Sequence, residues 1–435
     1  MADDLLTYAD RVWAGDADLR PYYSGQLNRE GLHRVADGVW MWPATGNVYV
    51  IDVGDALLLF DAGDRTNAQR FLAALRALTA RPVSTLVYSH GHIDHVCGAT
   101  VIDADPDRPV TVVGHVDIAR RFDRYRLTPG YNALVNQRQF RAPGLTWPEV
   151  YRYPDRTYTD ELQLDHGGLR VHLRHARGET DDATTAWIPD LKVLLCGDFY
   201  AWNAPNAGNP QKAQRHVAEW AATLEWMAGL GAELLLPGHG VPVRGAAKVA
   251  RTLTDAATVL THLHDATVDL MNAGATLDEI LHSKSILTPT VKELLARPYL
   301  RPTYDDPEFI LHNLWRAYGG WYEGDPAALR PAPRAELATE ISELAGGPGQ
   351  LAERALALLN SGNHRLAAHL VELAALAADD DPQVHRARAE VFGAMEADAS
   401  SFMAKGIYGW AAAGSRARAD GSDPWAVMRA GRWAP

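Results

Sequence analysis

The sequence predicts an α/β domain of about 245 residues followed by an all-helical region. Two observations lead there. Strand-like and helix-like periodicities alternate up to about residue 245, and beyond it strand signals fade while Ala and Leu dominate. The 435 residues suit two or three domains at roughly 150 residues each. With 47% hydrophobic and 22% charged residues the chain has ample core. Lys+Arg 42 against Asp+Glu 54 leaves a net charge of −12 without a dense basic block, which argues against nucleic-acid binding. The 17 His beside only 2 Cys ask for an explanation.

Within the first part, Val48 to Val53 and Ala56 to Phe60 read as strands, separated by a turn at Gly54-Asp55. Asn67 to Thr79 places Phe71, Leu72, Leu75 and Leu78 at helical spacing, with Pro82 as a stop signal. Thr85 to Ser89 is a strand that runs into a histidine cluster, and Val110 to His115 is another. The Arg- and Tyr-rich stretch 120–158 reads as irregular. Strand signals return at Leu162 to Leu164, Leu169 to His175, Thr184 to Ile188 and Val193 to Leu195. A loop at 199–215 precedes a helix over Val217 to Met227, the strand Glu233 to Leu236 and the turn Pro237-Gly238-His239-Gly240.

The expected division is residues 1–245, 246–345 and 346–435, the last two helical and separated by a Pro- and Gly-rich junction at Arg330 to Gly349. Leu351 to Met403 reads as short helical pairs joined at Ser361-Gly362-Asn363 and Asp379 to Pro382. The N-terminus MADDLLTYADRVW has no apolar core of a signal peptide, and no window approaches a membrane-spanning length, so a cytoplasmic, membrane-free location is expected.

The strongest chemical signal is Ser89-His90-Gly91-His92-Ile93-Asp94-His95. Four ligand-capable side chains fall within six residues on the turn after a strand. His90 and His92 can aim their imidazoles at one cation, with Asp94 and His95 placed for a second, and such N/O donor sets suit hydrolytic zinc. His175, on a strand that ends shortly before Glu179, is a rival ligand for the first cation.

This motif, with Phe60-Asp61-Ala62-Gly63 and the later Gly197-Asp198 and Pro237-Gly238-His239-Gly240 turns, resembles the metallo-β-lactamase superfamily over roughly residues 35–245. The resemblance implies an αββα sandwich with two metal ions, held by His90, His92, Asp94, His95, Asp198 and His239. Where the superfamily generally has Gly-His-Thr, this chain has Gly178-Glu179-Thr180, which is similar to the alkylsulfatase branch. Leu314 to Pro326, LWRAYGGWYEGDP, resembles the alkylsulfatase dimerisation domain and implies a homodimer through the helical region. The chain departs from that branch at Gly197-Asp198, where a glutamate after alanine is usual. It also departs at Trp202 to Asn206 and Gln211-Lys212, which stand in the interval of the sulfate-binding residues. It resembles a short form without the C-terminal sterol-carrier-like domain.

What the resemblance implies is a dinuclear zinc hydrolase, another divalent metal being an alternative. It would cleave a sulfate ester of an apolar alcohol with a metal-bridging hydroxide. Asp94 and Asp198 are the catalytic candidates, Asp61 an outer support of a ligand, and Asn203, Asn206, Lys212, Arg138 and His216 the candidates for substrate, His216 as a general acid. The aromatic residues Tyr125, Tyr131, Trp147, Tyr151, Trp187, Tyr200 and Trp202 are candidates for an apolar pocket wall. A hydrolase of the same fold acting on a lactone, thioester or phosphoester is the enzymatic alternative. A helical dimerisation or scaffold protein with a vestigial hydrolase domain is the alternative from another class.

Overall fold

The structure, a computed structural model, describes residues 4–19, 31–104 and 109–423. Two twisted sheets face each other. The first has seven strands in sequential order: β1 (His33–Ala36), β2 (Val39–Trp42), β3 (Val48–Asp52), β4 (Leu57–Phe60), β5 (Val83–Val87), β6 (Thr111–His115) and β7 (Arg156–Tyr158). The second runs β13-β12-β11-β10-β9-β8, built from β8 (Glu161–His166), β9 (Leu169–His175), β10 (Thr184–Ile188), β11 (Val193–Gly197), β12 (Leu234–Pro237) and β13 (Val243–Arg244). Most pairs are antiparallel, but β4, β5, β6 and β7 run parallel, as do β11 and β12. Parallel neighbours send their C-terminal ends to one edge, and ligand sites on α/β folds collect there.

Burial explains the strand composition. Leu57, Leu58, Leu59 and Phe60 of β4 are all buried, because the two faces of that strand enter two different cores. Leu58 and Phe60 join Val87, Leu173, Leu195 and Leu236 in one core, whereas Leu57 and Leu59 pack outward with Phe71 and Leu75 of helix Arg65–Leu78. Runs of apolar residues without alternation are expected of strands covered on both faces.

The stretch 120–158, read from sequence as irregular, instead contains two helices, Asp117–Leu127 and Pro129–Phe140. Helix Asp117–Leu127 buries Ile118, Arg121, Phe122 and Tyr125 at helical spacing, but with a charged residue inside that stripe. Helix Pro129–Phe140 buries Asn136 and Gln139 and exposes Leu134 and Phe140, so neither gives a conventional apolar stripe. The junction Arg330 to Gly349 also holds a helix, Arg334–Leu344, entered after Pro333 and followed by Gly346-Gly347. A helix Leu5–Ala14, capped by Asp4, was not signalled in the sequence.

The helical region begins with Ala246–Asn272, whose Leu253, Leu260 and Leu263 enter the core shared with the second sheet. Helix Pro307–Gly319 adds Ile310, Leu311 and Leu314 to that core. Helices Pro348–Asn360, His364–Ala377 and Pro382–Asp398 have a core of their own around Val371 and Val391. The last described helix, Phe402–Asp420, returns to helix Pro129–Phe140. There Phe402 meets Phe140 at 5.3 Å, and Arg141 pairs with Glu396 at 2.7 Å. Among the described residues, no helix is long and apolar enough to cross a membrane.

One close approach ties the helical region to the loop after β11. Gly208 donates its N–H to the buried Asp305 carboxylate at 2.9 Å, and a β-carbon there would lie 2.2 Å from the Ile310 nitrogen. Gly208→Ala is therefore expected to destabilise the fold by about 1–3 kcal/mol. Thermal denaturation would show a Tm several degrees lower; an unchanged Tm would mean that helix Pro307–Gly319 can shift to make room.

Candidate metal centre

The candidate ligands come from turns at the C-terminal ends of strands. β4 leads into Asp61, which adopts φ +65° two residues before Gly63. The chain after β5 supplies His90, His92, Asp94 and His95, with His92 capping the short helix Ile93–Val96. The connection between β9 and β10 supplies Glu179, β11 leads into Asp198, and β12 leads into His239.

These side chains form two groups, each with its ligand atoms within 4.8 Å of one another: His90, His92, Glu179 and Asp198, and then Asp94, His95 and His239. Asp198 lies between them. Its Oδ2 is 3.6 Å from His90 Nε2 and 3.2 Å from His239 Nε2, and its Oδ1 is 3.4 Å from His95 Nε2. His90 Nε2 and His92 Nδ1 face each other at 2.8 Å, and His95 Nε2 and His239 Nε2 at 3.3 Å. Gly238 leaves the space for Asp198, since a β-carbon there would fall 2.0 Å from Oδ1.

The outer contacts fix each ring. Asp61 accepts from Ser89 N at 2.6 Å and Ser89 Oγ at 2.7 Å, and its Oδ2 holds His95 Nδ1 at 2.8 Å. That bond leaves His95 Nε2 to face Asp198. His239 Nδ1 bonds the Thr45 carbonyl. Asp182 binds Gly91 N at 3.1 Å and Arg121 Nε at 2.8 Å, which ties down the turn between His90 and His92. Glu179 Oε1 receives Arg215 at 2.9 Å and Asn206 Nδ2 at 2.8 Å.

The charges divide the site. Burial, with His95 nearby, pulls His90 down to about 4, and burial with His90 and Arg121 pulls His92 well below the usual imidazole value. For His239 burial also pulls downward, but Asp198 and Asp94 outweigh it and raise the group to about 9. His95 is raised in the same way by Asp198, Asp94 and Asp61. Burial lifts Glu179 to about 7 against the opposing pull of Arg215. Neutral imidazoles with exposed lone pairs and shared carboxylates are a donor set for divalent cations. Glu179 Oε2 and Asp198 Oδ1 fit that role, because both are buried without a hydrogen-bond partner and such oxygens are costly to leave unpaired.

Residues 41–239 match the family model for the metallo-beta-lactamase superfamily, and residues 276–418 match the model for alkyl sulfatase dimerisation. The chain carries a metallo-beta-lactamase domain followed by an alkyl sulfatase dimerisation domain. It is 26% identical over 375 residues to a linear primary-alkylsulfatase of a Pseudomonas species, covering 79% of this chain and 69% of that protein. It is 28% identical over 416 residues to an (R)-specific secondary-alkylsulfatase of Pseudomonas, covering 86% of this chain but only 60% of the relative. An alkyl/aryl-sulfatase of Saccharomyces cerevisiae is 24% identical over 85% of this chain and 61% of its own length. Among solved structures, a stereoselective inverting sec-alkylsulfatase from Pseudomonas superposes with a TM-score of 0.81 at 23% identity. That match covers 95% of this chain and 70% of the other, and shows the fold. The metallo-beta-lactamase superfamily typically binds metal, and the two side-chain groups are ones that could hold it.

The remaining sequence candidates scatter. Asn206 bonds Glu179, but Asn203 turns back to the Ala201 carbonyl at 2.8 Å. Arg138 reaches Gln211 at 3.0 Å, Lys212 reaches Asn136 at 3.2 Å, and His216 sits on Asp181 at 2.9 Å. His175 lies outside both ligand groups; it stacks on His115 at 3.5 Å and bonds the Ala183 carbonyl. Tyr125, Tyr151, Tyr200 and Trp202 are buried core, whereas Tyr131 is exposed. Sequence reasoning missed Arg215, Asp182 and Arg121. A signal for Arg215 was available, because a buried glutamate ligand needs a counter-charge.

Asp61→Ala would leave Ser89 N, Ser89 Oγ and His95 Nδ1 without their acceptor. Metal affinity is expected to fall roughly tenfold to hundredfold, measured by competition with a chromophoric chelator. Unchanged affinity would show that His95 is oriented without Asp61.

Proposed function

We propose that this enzyme is a dinuclear zinc hydrolase of the alkylsulfatase type, acting on the sulfate ester of an apolar alcohol. The single observation that supports it best is Glu179, a buried carboxylate grouped with His90, His92 and Asp198 where the superfamily generally places a histidine. The named alkylsulfatase relatives and the dimerisation match support the same reading. Two zinc ions, when bound, would supply Lewis acidity and a water of lowered pKa.

The protein's own residues do the rest. His90, His92 and Glu179 form the first ligand group, Asp94, His95 and His239 the second, and Asp198 joins them. Asp198 lies in the field of His239, His95 and His90, which against burial hold it well below the usual carboxylate range, so it stays an acceptor able to orient an attacking water. Asp94 completes the second group and balances His239. Arg215 opposes the effect of burial on Glu179 and holds its carboxylate in place. His216, anchored by Asp181 and donating its backbone N–H to Gly178 at 3.0 Å, stands beside the Glu179 turn as the proton donor for the departing alcohol.

A homodimer through the helical region belongs to this proposal. Tyr318 is 57% and Trp321 67% exposed, on a segment inside the matched dimerisation region. Exposed aromatics of this kind are typical of interfaces.

Incubation with a series of alkyl sulfates should release inorganic sulfate, and metal analysis should find two zinc ions per chain. Absence of sulfate release alongside turnover of a lactone or phosphodiester would overturn the substrate class. Less than one zinc per chain would favour a scaffold with a vestigial site. Asp94→Ala is expected to lose turnover by at least a thousandfold (~4 kcal/mol) while the dimer persists in light scattering. Retained activity would refute the dinuclear arrangement.

A further inference from the structure

Helix Pro307–Gly319 carries a polar residue in its buried stripe. Pro307, Ile310, Leu311 and Leu314 recur at helical spacing and are buried, and Asn313, 5% exposed, is buried with them. A buried amide has to be satisfied, and this one uses its full capacity of two donors and two acceptor sites. Nδ2 donates to the carbonyls of Ala207 and Arg215, both at 2.8 Å. Oδ1 accepts from Arg215 N at 3.4 Å and from Arg316 Nη2 at 3.1 Å. Three of the four bonds therefore go to the backbone of the loop between β11 and helix Val217–Ala228, and two of them grip Arg215 alone.

These bonds close a longer seam. The Tyr200 hydroxyl donates to the Tyr299 carbonyl at 3.1 Å, Ala204 N to the Arg301 carbonyl at 3.0 Å and Gly208 N to the Asp305 carboxylate at 2.9 Å. Gln214 Nε2 donates to the Asn313 carbonyl at 3.0 Å, and its Oε1 accepts from Arg316 Nε at 2.9 Å. The loop and the segment 299–316 thus run side by side in the same order, and that segment lies inside the region matched to alkyl sulfatase dimerisation.

On its other side the loop meets the metal centre. Arg215, 4% exposed, places Nη1 2.9 Å from Glu179 Oε1 and also donates to the Asn206 carbonyl, while Asn206 Nδ2 reaches the same Glu179 oxygen at 2.8 Å. Glu179 Oε1 is thereby occupied. Its Oε2 has no hydrogen-bond partner and lies 3.8 Å from His92 Nδ1, within the first ligand group.

We propose that Asn313 is a positioning residue for the metal centre, an inference that rests on the two-ion reading above. By holding the Arg215 backbone at both its N–H and its carbonyl, it fixes the guanidinium on Glu179 Oε1 and so keeps Oε2 turned towards the first ion. The exposed Tyr318 lies at the end of the same helix, so the segment matched for dimerisation also sets the orientation of a ligand.

The test titrates zinc into the chelator-stripped full chain against a chromophoric competitor, which resolves the two stepwise affinities. The step abolished by Glu179→Ala identifies the first ion. Asn313→Ala is expected to weaken that step by roughly tenfold and to leave the other step unchanged. Arg316→Ala, at an exposed position of the same brace, should fold normally and weaken the same step by less. In an Arg215→Met background, Asn313→Ala should add little further loss, because the guanidinium it positions is already gone. Equal weakening of both steps, losses that simply add in the double variant, or unchanged affinities would overturn the proposal. Should Asn313→Ala fail to fold, Arg316→Ala, alone and with Arg215→Met, decides by the same criteria. If the unmodified chain binds fewer than two zinc ions, the two-ion reading fails. Denaturant unfolding of the metal-free chain then decides the positioning role, with Asn313→Ala or Arg316→Ala combined with Glu179→Gln: non-additive losses support it and additive losses overturn it.

Discussion

Four carboxylates and four imidazoles meet on the turns at the C-terminal ends of the strands, and the rest of the structure is arranged around the cost of keeping them there. Isolated charges in such a place would be expelled or neutralised. The protein compensates part of the charge with its own cations, Arg215 against Glu179 and Arg121 against Asp182. It compensates another part with hydrogen bonds, three of them onto Asp61. What remains unbalanced is confined to atoms that face one another, Glu179 Oε2 and Asp198 Oδ1 among them. The parallel strand ends, the left-handed turn at Asp61 and the bare Gly238 serve that confinement.

The electrostatic asymmetry within the cluster has a simple origin. In the first group burial, reinforced by the neighbouring imidazoles and at His92 by Arg121, leans the histidines towards the neutral form. The second has Asp61, Asp94 and Asp198 around it, so its histidines lean towards the charged form. One shared carboxylate, Asp198, joins the two groups. Asp182 shows the same balance at a distance: burial would raise it, yet Arg121 holds it at about 2.

Much of the centre could be read from sequence because its chemistry is local. His90 to His95 lie on one turn, and the Glu179, Asp198 and His239 turns each follow a clear strand signal. The strands themselves were legible through apolar runs. The two helices between Asp117 and Phe140 were not, because Arg121, Asn136 and Gln139 interrupt the expected pattern with residues that answer partners far along the chain. Asp182 is 61 positions from Arg121, and Tyr304 is 165 positions from Gln139. Periodicity carries no information about such partners. Arg215, 36 residues after Glu179 by number, lies in a segment that reads only as a loop, and the need of a buried glutamate for a counter-charge is the signal that points to it.

The chain's first helix has a consequence for how the molecule is made. Trp13 stacks on Tyr299 at 5.1 Å, Asp10 pairs with Lys248 at 2.7 Å, and Trp13 donates to Thr252 at 3.0 Å. During synthesis, that helix emerges long before any of these neighbours exists. Helix Pro129–Phe140 likewise waits for Phe402. Contacts between such distant segments carry a large loop-closure entropy and tend to form late. The ribosome thus delivers both sheets before it delivers the residues that close over them, and maturation is set by the C-terminal half of the chain.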